Sequence, residues 1–257
     1  MNGSGTVFVT GAAQGIGRSI AVALADAGWA VAACDREERV LETATVLRDA
    51  GARAAGFVFD VTDADGAREA YTRAEAELGP VGAVVSNAAI VDQIVPAGHL
   101  DAGDWRREID VNLTGAFLCI QPALDAMRTR GWGRIVVISS ASARGGLRGQ
   151  VAYTASKAGL IGMVRTLALE LAPDGVTVNA VLPGMVETEK VRAMPASVRR
   201  RVLGHVPMRR FAEPAEVASA VVFLCSAGAS YVTGVALPVD GGINLTDITL
   251  GPERRTG

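Results

Sequence analysis

At 257 residues, 49% of them hydrophobic, the chain has material for one sizeable core, and a single α/β domain is the expected organisation. A net charge of -2 and a pI near 5.8 give no electrostatic attraction for nucleic acid or an anionic membrane, so neither is expected as a partner. Cys34, Cys119 and Cys225 lie far apart in apolar surroundings, fit no metal-ligand or disulfide spacing, and read as core thiols of a cytoplasmic protein.

Met1 to Gly5 leads directly into a strand, without the basic start and apolar run of a signal peptide, and no apolar run reaches membrane-spanning length. The chain then alternates short apolar runs with amphipathic helices: Thr6 to Thr10 and Gly15 to Ala27, Ala30 to Cys34 and Glu37 to Ala50, Ala54 to Phe59 and Ala64 to Leu78. That rhythm predicts a parallel sheet with crossover helices. Ala83 to Ser86 is a fourth strand. Asp101 caps a long helix that runs, with an interruption, towards Met127 and Arg130, and Gly133 marks its end. Ile135 to Ser139, Thr177 to Val181 and Val235 to Val239 complete seven strands, with helices at Tyr153 to Ala172 and from Pro214 onward. Met185 to Pro207, rich in arginine and glutamate, breaks the rhythm and reads equally as a substrate lid or a polar surface excursion.

Three places carry chemistry. Thr10-Gly11-Ala12-Ala13-Gln14-Gly15-Ile16-Gly17 joins the first strand to the first helix. Glycine tolerates the dihedrals of such a turn and lets backbone approach a ligand, while the helix amino end presents free N–H groups to a pyrophosphate. The competing reading is a tight turn with close helix packing. Asp35 ends the second strand about twenty residues on, where a carboxylate accepts from ribose hydroxyls and repels a 2′-phosphate; Gln14 adds no cation. NAD is therefore favoured over NADP, although Arg36 next door is able to meet a phosphate, and Asp35 also reads as a plain strand-end turn residue.

The third place is Tyr153 and Lys157. Four residues apart on a helix, they share one face. A phenol becomes a usable base near neutrality once a positive neighbour favours the phenolate; a depression of roughly 3 units asks for about 4 kcal/mol. Lys157, helped by an oxidised nicotinamide ring, is expected to supply it. Ser140, at the exit of an apolar strand, is placed to donate to the same reacting oxygen. Arg144, Arg148 and Gln150 lie between Ser140 and Tyr153 and offer a basic contact for an anionic substrate or merely a solvated loop. His99 and His205 pair with nothing, and no metal is expected.

Taken together these segments resemble the short-chain dehydrogenase/reductase family in its single-domain form, over nearly the whole chain. The turn from Thr10 to Gly17 matches, with Gly11, Gln14, Gly15, Ile16 and Gly17 as cofactor contacts. Asp60-Val61 falls where the family contacts adenine, and Ser86-Asn87-Ala88-Ala89 resembles an Asn-Asn-Ala-Gly segment, leaving Asn87 in register. Asn112 matches an asparagine that positions a water in a proton relay, beside the catalytic set Ser140, Tyr153 and Lys157. Pro183-Gly184 with Thr188 matches the turn over the nicotinamide, and Val186 falls where backbone meets the carboxamide. The resemblance implies a doubly wound, seven-stranded parallel sheet with helices on both faces (a Rossmann fold). It also implies an NAD-dependent oxidoreductase interconverting a secondary alcohol and a ketone, with activity rising towards alkaline pH in oxidation. The alternatives are an NADPH-dependent 3-oxoacyl-thioester reductase, weakened by Asp35 and Asp174, and a non-catalytic dinucleotide-binding protein. A homotetramer is implied too, built on the helices Asp101 to Arg130 and Tyr153 to Ala172 and on the end segment Ala236 to Leu250.

Overall fold

The structure, a computed structural model, describes residues 5–245. Seven strands form one parallel sheet in the order β3-β2-β1-β4-β5-β6-β7. They are β1 (Thr6–Thr10), β2 (Ala30–Asp35), β3 (Ala54–Val58), β4 (Val81–Ser86), β5 (Gly133–Ile138), β6 (Val176–Pro183) and β7 (Ala236–Val239). Every residue of β1, β4, β5 and β6 is buried, which is why these runs are apolar without alternation: both faces of the sheet are covered.

Alternate residues of each strand feed the two cores. On one face Phe8, Val84, Ile135 and Val178 pack with Tyr71, Met127, Leu160 and Leu171. On the other, Val7 and Val9 pack with Ile20, Leu24, Leu47, Val217 and Leu224. The first face is covered by α3 (Ala64–Leu78) and α8 (Val151–Leu171), with a composite helix between them in the chain; the second by α1 (Gly15–Asp26), α2 (Val40–Asp49) and α11 (Pro214–Cys225). No helix among the described residues is long and apolar enough to cross a membrane.

The composite helix explains the interruption read from the sequence. It consists of α4 (Ala102–Ile109), a π-helical turn Asp110–Thr114, α5 (Gly115–Ile120), a 3₁₀ turn containing Pro122, and α6 (Leu124–Arg130). Asp101 caps it as expected, its carboxylate accepting from the Gly103 N–H at 2.6 Å. Its end is not Gly133 but Gly131, in the left-handed region at φ 65°; Gly133 opens β5, where an added Cβ would meet Met127 Sδ at 2.5 Å. Two short helices follow β5 and β6: α7 (Ser142–Gly145) and α9 (Glu189–Arg192), with α10 (Ala196–Leu203) after the latter. The segment read as a lid or excursion thus carries α9 and α10. Strand order reverses between β1 and β4, and the crevice at their carboxyl ends is where such sheets hold ligands.

Candidate active site

At the end of β1 the glycine turn is bolted to the neighbouring strand. Thr10 Oγ1 accepts from the N–H groups of Asn87 (3.0 Å) and Ala88 (3.1 Å), and Asn87 Nδ2 donates to the carbonyls of Thr10 (3.0 Å) and Gly11 (3.1 Å). The glycines divide the work. Gly11 has φ 68° and its Cβ would strike Ala88 and Asn87; a Cβ on Gly17 would sit 2.0 Å from the Gly11 carbonyl oxygen. Both are needed by the turn itself. Gly15, at φ 55°, faces across the crevice to Thr188, whose methyl a Cβ would meet at 3.4 Å. Ile16 anchors the same turn by packing against the core behind it.

The α1 amino end is open to an anion, for Gln14 does not cap it; instead Gln14 Oε1 accepts from Arg39 at 3.4 Å. Asp35 stands beside it, its two oxygens accepting from the N–H groups of Ala13 (3.0 Å) and Glu37 (3.1 Å), with lone pairs left over on both. Asp60 Oδ1 accepts from the Thr62 N–H and hydroxyl, bonds that hold its carboxyl below the usual range, and Val61 is buried against Ala67 and Cys119. An uncapped helix amino end, a carboxylate at the end of the next strand and a glycine at position 15 that leaves the space towards Thr188 unfilled fit a nicotinamide dinucleotide.

The crevice leads to the residues read as catalytic. Tyr153 and Lys157 leave α8 on one face, with Lys157 Nζ 5.7 Å from the phenol ring centre. Lys157 is 2% exposed and donates to the Ile138 carbonyl at 2.8 Å, while Ser139 Oγ donates to the Lys157 carbonyl at 2.8 Å, tying α8 to β5. Ser140 lies beside the Tyr153 phenol, near enough to lower its pKa.

The electrostatics depart from the expectation. Burial pushes the Tyr153 phenol up, the neighbouring Ser140 hydroxyl opposes this, and the Glu108 carboxylate adds to it. Burial also pulls the Lys157 ammonium down to about 8. The lysine therefore surrenders its proton before the phenol does, and it does not by itself make a phenolate of Tyr153. Desolvating two ionisable groups together penalises the charge of each.

Asn112 lies in the π-helical turn, where an i→i−5 bond runs from the Gly115 N–H to the Asp110 carbonyl. Its side chain makes three bonds: Oδ1 accepts from the Ile90 N–H (2.8 Å), and Nδ2 donates to the Ile90 carbonyl (2.9 Å) and Ser156 Oγ (3.2 Å). Ser156 in turn donates to the Tyr153 carbonyl at 2.7 Å. One turn earlier the buried Glu108 accepts from the Asp92 N–H at 2.8 Å. Helix α4 and the π turn thus clamp the loop after β4.

Across the crevice, Pro183 accepts from the Ala141 N–H, and Gly184 donates to the Val239 carbonyl, close enough to Asp240 that a Cβ would lie 2.9 Å from its Cα. Val186 bridges in parallel to Ala212 through the flanking groups of Met185 and Glu187, so its own N–H points away from that strand. Thr188 caps α9. Arg144, read as a possible anion contact, instead donates to the Ala236 carbonyl at 2.8 Å. His99 and His205 are exposed, and no group of metal-binding side chains occurs among the described residues.

Sequence reasoning missed Ser139, Ser142, Ser156 and Glu108. The Ser139-Ser140-Ala141-Ser142 run was a visible signal for the first two. Nothing local marked Glu108 apart from its place one turn before Asn112.

A dinucleotide crevice ending at a phenol, a buried ammonium and a serine hydroxyl defines an oxidoreductase working on a C–OH or C=O group. A family model described as enoyl-(acyl carrier protein) reductase matches residues 11–244. The chain is 43% identical to a cis-4-hydroxycyclohexanecarboxylate dehydrogenase of Sinomonas cyclohexanicum, covering 91% of this chain and 94% of that one. It is 40% identical to an acetoacetyl-CoA reductase of Rhizobium meliloti (strain 1021), over 93% and 98%. Among solved structures, a candidate NAD(P)-dependent gluconate 5-dehydrogenase from Beutenbergia cavernae with NADP at low occupancy superposes at TM-score 0.88, 39% identical, covering 94% and 97%. The chain belongs to the short-chain dehydrogenase/reductase family, and its members bind a nicotinamide dinucleotide.

Proposed function

We propose that this protein is an NAD-dependent dehydrogenase that interconverts a secondary alcohol and a ketone. The observation that carries the reading is Tyr153 and Lys157 on one face of α8, Lys157 Nζ 5.7 Å from the phenol ring centre, with Ser140 beside the phenol. When bound, the nicotinamide exchanges a hydride with the substrate carbon and, oxidised, carries a positive charge. In oxidation Tyr153 takes the hydroxyl proton at its phenolate oxygen, and Ser140 donates a hydrogen bond to the substrate oxygen; in reduction Tyr153 returns the proton. Lys157 holds the nicotinamide ribose, and it is a cation beside the phenol only while it keeps its proton, at pH below about 8. Asn112 positions this machinery through Ile90 and Ser156.

Gly11, Gln14, Gly15, Ile16 and Gly17 form the pyrophosphate turn, Asp60 and Val61 border the adenine, and Asn87, Pro183, Gly184, Val186 and Thr188 line the nicotinamide end. Preference for NAD is supported by Asp35, whose carboxylate would repel a 2′-phosphate brought beside it, and by Arg39, already engaged with Gln14 and Glu189 at 3.4 Å each. Residues 185–207 act as the lid. Support comes from its two anchorages on opposite walls, Glu189 to Arg39 and Lys190 Nζ to the Val91 carbonyl at 2.8 Å. Homotetramer assembly draws support from large apolar side chains exposed on the α4–α8 side: Trp105, Phe117 and Leu169.

A thioester reductase is the second reading, favoured by the similarity to an acetoacetyl-CoA reductase. Against it stands Asp174, a carboxylate at this corner that engages the Arg128 cation at 3.0 Å. Assaying secondary alcohols, hydroxy acids, sugars and acyl thioesters with NAD and NADP in turn separates the two. NADPH-linked thioester reduction with negligible NAD-linked alcohol oxidation would reverse the order. Tyr153→Phe is expected to bind dinucleotide, by fluorescence titration, yet lose at least about 10²-fold in turnover, the worth of a general acid–base group. Wild-type rates in that variant would remove Tyr153 from the mechanism.

A further inference from the structure

The serine turn after β5 holds a second hydroxyl aimed at the first. Ser142 donates twice to Ser140 Oγ, from its backbone N–H at 3.1 Å and from its own Oγ at 2.9 Å. A serine oxygen has two acceptor sites and one proton. With both sites filled from Ser142, Ser140 has only its proton left to use, and that proton is left for an oxygen brought up beside the Tyr153 phenol.

The turn is held firmly enough to make this a fixed arrangement. The Ala141 N–H donates to the Pro183 carbonyl at 2.9 Å, Asn244 Nδ2 donates to the Ala141 carbonyl at 2.8 Å, and the Gly146 N–H donates to the Ser142 carbonyl at 2.8 Å. Ser142 is only 9% exposed, which limits competition from water for its hydroxyl. A donor whose oxygen already accepts is also polarised to donate more strongly.

We infer that Ser142 is a positioning residue that fixes Ser140 as a hydrogen-bond donor to the reacting oxygen. The inference rests on the dehydrogenase reading with Ser140 as donor. An unclamped Ser140 hydroxyl can turn its proton elsewhere and present a lone pair to the substrate oxygen; the clamp forbids that orientation.

The test compares Ser142→Ala, Ser142→Cys and Ser142→Thr in oxidation of whichever alcohol the wild-type enzyme turns over, with Ser140→Ala alongside. Ser142→Ala should lose about fivefold in kcat, the equivalent of one neutral hydrogen bond of about 1 kcal/mol, with KM for the dinucleotide unchanged. Its activity should rise with pH at more alkaline values than wild type, because a weaker Ser140 donor stabilises the phenolate less. Glu108 of α4 and Lys157 of α8, the charged groups that face the phenol, are the same in every variant, so the displacement reports on Ser142. Ser142→Cys, of similar shape but a weak donor, should behave like the alanine variant, and Ser142→Thr should restore both rate and profile. Undiminished kcat, or a fall with an unmoved pH profile, overturns the inference. Wild-type turnover in Ser140→Ala overturns the underlying reading instead; a slow Ser140→Ala beside a wild-type Ser142→Ala removes the clamp alone.

Discussion

Lys157 sits in the interior at a cost that its function explains. Its pKa is pulled from 10.5 to about 8 by burial, so between those values the unfolded chain binds more protons than the folded one. Stability therefore rises with pH across that window, and below it the buried ammonium costs the fold about 3 kcal/mol at 1.36 kcal/mol per unit. Lys157→Met should be inactive yet unfold at higher urea than wild type at pH 7, with the pH 8 to 10.5 rise in stability gone. The Ile138 carbonyl, left without its donor, trims the gain. Glu108 acts on the other partner: its charge raises the Tyr153 pKa, so Glu108→Gln should move the alkaline rise of oxidation to lower pH. The amide oxygen still accepts from the Asp92 N–H, so the loop should stay in place and the cofactor KM should hold.

At the scale of elements, the glycine turn separates packing from ligand contact. Gly17→Ala sets a Cβ against the Gly11 carbonyl oxygen, backbone that cannot step aside, and should abolish dinucleotide binding and lower the melting temperature sharply. Gly28→Ala, at φ 89° with open space around it, should cost only about 1 kcal/mol of left-handed strain and leave activity alone. Thermal melts of the two variants check the contrast. The strands, the glycine turn and α3 were legible because strand burial, turn chemistry and helix period are local properties. The end of α6 was misread by two residues, since both Gly131 and Gly133 suit a stop and only the contact with Met127 distinguishes them. The π turn was visible as an interruption but not as a π turn, because its hydrogen-bond shift depends on what Asn112 grips across the loop.

For the whole molecule, the exposed apolar face on α5 and α8 is where assembly is expected. Phe117→Glu combined with Leu169→Glu places two charges there, and sedimentation velocity should show a species smaller than wild type. An unchanged sedimentation coefficient would move the expected interface elsewhere. The end segment proposed to complete a tetramer runs to Leu250, and its residues 246–250 lie outside the described residues.

What the amino-acid sequence determined by itself was everything carried by spacing along the chain: seven apolar runs, three glycines in one turn, an acid at the end of the second strand, a tyrosine one helical turn from a lysine. Such signals need no knowledge of what lies opposite. Only the tertiary structure decided the direction of the Tyr153 and Lys157 pKa values, the commitment of Arg144 to the Ala236 carbonyl, the grip of Asn112 on Ile90 and the two hydrogen bonds from Ser142 to Ser140. Desolvation and hydrogen-bond partnership are set by segments far apart in the sequence or by the fold of a turn, and burial of a charge exists only once the sheet has closed over it.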